Sequence, residues 1–114
     1  MRHEIKKISR IVDELTTLFL KEDTNEVDFS IKRLEDYTVI KIRDHCTHFE
    51  DDYIDQLREV FNTQRQCEVE EYYWQLCGEV ENDDELTLIG CMIDKAIVEK
   101  RDGDLYLELI RYHL

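Results

Sequence analysis

A two-layer α+β sandwich, helices on a mixed four-stranded sheet in the order α-β-β-α-α-α-β-β, is the fold class this sequence predicts. Three observations predict it. Apolar residues recur every three or four positions near the N-terminus and through the middle of the chain. They alternate with polar residues in two pairs of short runs, and the second pair is joined by Asp102-Gly103, a dipeptide that supplies the positive φ of a tight hairpin. Strands with one polar face beside helices with one apolar stripe place the helices on one side of the sheet and leave the other side to water or to an interface.

The first helix is read from apolar residues at 5, 8, 12, 15 and 19, with Ile11 and Leu18 widening the stripe. Asp23-Thr24-Asn25 breaks it. Val27, Phe29 and Ile31 then alternate with Asp28, Ser30 and Lys32, and after a turn at 34–37, Thr38, Ile40 and Ile42 alternate with Val39, Lys41 and Arg43. These two strands pair as a hairpin. Thr47-His48-Phe49-Glu50 has the spacing of a capping box, so a second helix is expected there, with Tyr53, Ile54, Leu57, Val60 and Phe61 inward. CEVEEYYWQLCGEV, residues 67–80, is read as a third helix with Val69, Tyr72, Tyr73, Leu76, Cys77 and Val80 on its apolar side. Asn82-Asp83-Asp84 caps a fourth with Leu86, Ile89, Met92 and Ile93 inward. AIVEK (96–100) and LYLELIR (105–111) close the chain as a second hairpin.

A length of 114 residues is that of one domain, with the helical insert at about 48–82, and a domain of this size buries roughly two thirds of the surface of its unfolded chain. A formal charge of −13 disfavours nucleic acid and anionic membrane surfaces, whose binding draws on clustered Lys and Arg. It suits a basic protein partner, and an open sheet face or an edge strand offers a surface for self-association. No apolar stretch approaches the roughly 20 residues that span a bilayer, and no export signal is evident, so a cytoplasmic protein is expected. Cys46, Cys67, Cys77 and Cys91 form no C-x-x-C pair, which suggests reduced thiols. With no proline and only three glycines, long irregular loops and glycine-rich phosphate cradles are not expected.

IVDELTTLFL followed by VDFSIKRLEDYTVIKIRDHC, and later ELTLIGCMIDKAIVEKRDGDLYLELIR, resembles in outline the ATPase domain shared by histidine kinases, anti-sigma-factor kinases, gyrase-type topoisomerases and heat-shock chaperones. The resemblance implies one mixed sheet carrying both hairpins, and a nucleotide between sheet and helices. Glu14 and Leu15 match the start of the family's helix motif, but its magnesium-holding asparagine corresponds to Leu18, which cannot ligate a hard cation. Asp44 matches the adenine-reading aspartate, a remnant cofactor-binding residue. The glycines that follow it in the family are here Cys46 and His48, and those of the later phosphate turn correspond to Glu85 and Thr87. Asp83, Asp84 and Glu85 crowd the helix end that would face phosphate. Unit charges about 8 Å apart repel by roughly 2 kcal/mol at an effective dielectric of about 20, enough for three of them to offset much of a micromolar affinity.

The resemblance, with its motifs lost, implies a non-catalytic regulatory or interaction module without a bound cofactor. The alternatives are a weak ATP- or ADP-binding protein of the anti-sigma kinase type and a metal sensor. His45 and His48 are the ligands such a sensor would use, with Cys67 or Cys77 from afar; no metal is expected, because the same residues end a strand and open a helix. No G-x-S-x-G, H-E-x-x-H or P-loop points to an enzyme, and Glu14 with Asp44 is one chance pair among 28 carboxylates. From Cys67 through Glu85 there are eight acidic residues and no basic one. There Glu70, Glu71, Tyr73 and Trp74 are the candidate contacts for an Arg-rich partner, Trp74 pointing away from the core-facing tyrosines.

Overall fold

The computed structural model describes residues 3–74 and 84–113. Helix α1, Glu4–Lys21, buries Ile8, Ile11, Leu15 and Phe19, the stripe its 3.6-residue period sets. It ends in a Schellman arrangement: Asp23, at φ 58°, donates to the Leu20 carbonyl and Thr24 to that of Phe19. Strand β1, Val27–Arg33, pairs with β2, Tyr37–Asp44, antiparallel through Ile31 opposite Ile40. Ile31 nevertheless stays exposed, because β1 is an edge strand.

Helix α2, Asp51–Phe61, turns Ile54, Leu57 and Phe61 inward, with Tyr53 and Val60 packed beside them. The expected capping box does not form. Glu50 is the residue at the helix entry and no side chain caps it, while the Thr47 hydroxyl accepts from the Phe49 amide two residues on. The two aspartates that open the helix supply negative charge at its positive end instead. Helix α3, Cys67–Tyr73, is short, and the expected continuation through Leu76, Cys77 and Val80 lies outside the described residues, as does Asp83. Helix α4, Asp84–Gly90, crosses α2 closely: a Cβ on Gly90 would fall 2.5 Å from the Val60 carbonyl oxygen, so only glycine fits.

Strands β3, Lys95–Arg101, and β4, Asp104–Tyr112, are joined by Asp102 at φ 52° and Gly103 at φ 86°, the type I′ geometry expected of Asp-Gly. The sheet runs β1-β2-β4-β3, with every neighbouring pair antiparallel. This corrects the expectation of a mixed sheet. The second strand of the closing hairpin lands beside β2; had β3 landed there, that pair would run parallel. The core fills the space between one sheet face (Ile40, Ile42, Val98, Leu105, Leu107, Leu109) and the helices, where Ile89, Met92 and Ile93 join the stripes of α1 and α2. Among the described residues no helix is long and apolar enough to cross a membrane.

Candidate functional site

Period-two alternation aims β2 and β4 in two directions, and the half that faces away from the helices forms an open surface. Strand β4 shows the division most clearly: Leu105, Leu107, Leu109 and Arg111 are buried, while Tyr106, Glu108, Ile110 and Tyr112 are only partly covered. Cross-strand register assembles the outer face into rows. Asp28, Arg43, Tyr106 and Glu99 form one, Ser30, Lys41, Glu108 and Ile97 the next, and Lys32, Val39, Ile110 and Lys95 a third. A concavity of about 350 Å³ opens over the first two rows.

Tyr106 is the centre of this face. Arg43 lies 5.3 Å from its ring centroid and Arg101 4.7 Å, both within cation–π range. Arg43 is held by Asp104, whose Oδ2 accepts from Nε at 3.0 Å and Nη2 at 2.7 Å, while Oδ1 accepts from the Cys46 amide at 2.8 Å. The Cys46 amide and then Arg43 hold the Asp104 carboxyl below its ordinary range. Ile97, 48% exposed, adds apolar surface beside the arginines. Arginine, tyrosine and isoleucine on a rigid sheet can bind another protein surface.

The residues singled out in the acidic segment fall elsewhere. Glu70 is 4% exposed and Trp74 8%, so neither is available to a partner. Trp74 packs with its ring 5.2 Å from that of His3 and joins the core. Tyr72, expected inward, is 74% exposed. The short α3 is anchored through its polar side, and this reverses the expected faces. Glu70 accepts from Arg111 at 2.7 and 2.9 Å, from Lys7 at 2.8 Å and from Arg65 at 3.1 Å, drawing α3 onto α1 and β4. Burial pushes the Glu70 carboxyl up, but Arg111, Lys7 and Arg65 outweigh it and bring it down to about 2. Glu71 is exposed and pairs with Lys7. The backbone of Tyr73 closes α3, and its side chain lies outside the described residues, as do those of Asp84 and Glu85.

Asp44 ends β2 fully buried, pointing to the helical side with Thr38, Ile40 and Ile42. Its Oδ1 accepts from the Thr24 hydroxyl at 3.0 Å, and its Oδ2 has no hydrogen-bond partner among the described residues. Leu18 packs against the core, and Phe19, Phe29, Phe49 and Tyr53 fill the neighbouring layer, Phe49 stacked on Tyr53 at 4.9 Å and edge-on to Phe19 at 5.6 Å.

His45 lies apart from the set proposed for a metal sensor. Its Nε2 is 2.8 Å from Asp28 Oδ2 and its Nδ1 is 4.0 Å from Glu26 Oε1, and donor atoms of these three residues lie within 4.8 Å of one another. His48 is not in that group, Cys67 is exposed, and Cys77 lies outside the described residues. The hydrogen bond to Asp28 raises the His45 pKa above its ordinary value.

Sequence reasoning did not single out Arg43, Arg101, Tyr106 or the Glu70 network. The outward register of β4 was a usable signal for Tyr106, and an arginine at the inward position 111 was one for a buried acid. Comparison with known proteins returned no matching family model, curated protein or solved structure.

Proposed function

We propose that this chain is a non-catalytic regulatory or protein-interaction module whose sequence outline resembles the histidine-kinase-type ATPase domain, but whose sheet is antiparallel throughout and whose nucleotide-binding motifs are lost. The observation that carries the reading is the enclosure of Asp44. At the position that would read adenine, the carboxylate is fully buried, its Oδ1 accepting from Thr24 in the loop after α1 and its Oδ2 without a partner among the described residues. Leu18 stands where a magnesium ligand would be needed, and Cys46 and His48 where glycines would let the backbone approach phosphate. What this chain offers to other molecules is surface: the open sheet face, with Tyr106 held between two arginines. A second copy of the chain suits that face, and a protein with a basic surface suits the acidic remainder of the molecule.

Calorimetry with Mg-ATP and with ADP tests this reading. No heat of binding is expected for the wild type or for Asp44→Asn. Binding tighter than about 100 μM, equivalent to more than about 5 kcal/mol, that disappears in Asp44→Asn would restore an ATP-dependent role. A second reading, a divalent metal site, has one observation in its favour, the convergence of Glu26, Asp28 and His45. Zinc or nickel titration followed by thermal melting tests it, with His45→Ala as the control.

A further inference from the structure

The outward positions of the four strands carry five Lys or Arg and four Asp or Glu, whereas the whole chain has 15 and 28. The outer face of the sheet is therefore close to neutral on a molecule of charge −13, and the strong negative charge lies elsewhere. A strongly basic partner is drawn to those other surfaces. Two copies meeting through any of them bring like charges into contact, while two copies meeting through the sheet face do not.

The register of β2 and β4 makes that face complementary to itself. These strands are the central pair of the sheet, and a two-fold axis running along them, between two facing sheets, lays β2 of one copy over β4 of the other. Such an axis keeps every row at its own height, so residues paired across one sheet also meet across the interface. Lys41 then faces Glu108 of the second copy and Arg43 faces Tyr106, while Val39, 7% exposed, is already covered within its own sheet. Each contact occurs twice. Like-charged edge positions, such as Lys32 and Lys95, fall at the margin, where the crossing of about 30° between aligned sheets leaves them in water.

We infer that the outer sheet face is the seat of a symmetric homodimer, with β2 packed across β4 of the second copy through these two pairs. The inference rests on the reading of the chain as an interaction module. With strands about 4.8 Å apart and about 3.3 Å per residue, the face measures roughly 20 by 23 Å, a small interface that suits a reversible dimer.

Sedimentation equilibrium of the full chain at up to about 200 μM, with a charge-swap pair, tests it. The wild type should approach about 28 kDa, twice the 13.9 kDa of one chain. Lys41→Glu and Glu108→Lys should each be folded by circular dichroism yet monomeric, since one places four acids at the central contacts and the other four lysines. Mixed in equal amounts they should form a dimer, because every central contact then joins opposite charges. A monomeric wild type overturns the proposal. So do a dimer that both single variants leave intact, or a mixture of monomeric variants that fails to associate. Failure of these arms leaves the interaction reading free to rest on a different partner, whereas nucleotide binding in the calorimeter would sink that reading by itself.

Discussion

Glu70 and Arg111, 41 residues apart, meet fork to fork in the protein interior, with Oε1 2.7 Å from Nη1 and Oε2 2.9 Å from Nη2. Arg111 also donates to Glu4 and to the Met92 carbonyl, and Arg65 links Glu70 to Asp94 and the Tyr112 carbonyl. One carboxylate thus ties α3 to the first helix and the last strand. Removing it leaves Arg111 with Glu4 and Lys7 with Glu71 as their remaining carboxylate partners inside the fold. Glu70→Ala is expected to cost about 3–5 kcal/mol, the usual range for breaking a buried pair from one side, measured by urea denaturation.

The same group gives stability a definite pH dependence. Its folded pKa, about 2, lies below the ordinary 4.5. The stability it contributes is therefore complete above about pH 4.5 and is lost as the pH falls toward 2. Between those limits the urea midpoint of the wild type should fall more steeply than that of Glu70→Gln; parallel curves would contradict the assignment.

Trp74 is the only tryptophan, so its fluorescence reports one site. Buried against His3, it should resist acrylamide quenching in the native protein and become accessible on unfolding. Equal quenching in both states would place it on the surface.

Gly90 lies where α4 meets α2. The nearest atom to an added Cβ is the backbone oxygen of Val60, which cannot rotate away, so Gly90→Ala should cost about 1–3 kcal/mol despite alanine's better helix propensity. A melting temperature equal to or above wild type would show that the helices can separate at no cost.

Thr24 is the one hydrogen-bond donor to Asp44 among the described residues. Thr24→Ala leaves a buried carboxylate without it and should cost about 1–3 kcal/mol, while Thr24→Ser should retain most of the stability. Equal losses in the two variants would assign the effect to packing of the threonine methyl.

Much of the fold was legible because single-residue periodicity carries it. Leu105, Leu107 and Leu109 alternate with outward side chains, and Ile8, Ile11, Leu15 and Phe19 recur on one helical face. Asp102-Gly103 marked its own turn. The faces of α3 were not legible, because Glu68, Glu70 and Glu71 look equally solvated until Lys7, Arg65 and Arg111 arrive from distant parts of the chain. The aromatic residues misled for a related reason: a seven-residue helix anchored by a buried ion pair can leave Tyr72 outside and bury Trp74 at its end. Whether the sheet was mixed depended on which strand of the last hairpin reached β2, and no local pattern encodes that choice.

Amide NMR spectra recorded with and without Mg-ATP report on Thr24, Asp44 and Cys46 one residue at a time, and so show whether this chain binds nucleotide. No shift is expected at these amides with nucleotide at about 2 mM, a concentration that reveals even millimolar affinity. Saturable shifts centred on Asp44 and absent in Asp44→Asn would contradict this expectation and return the chain to the nucleotide-binding proteins its outline resembles.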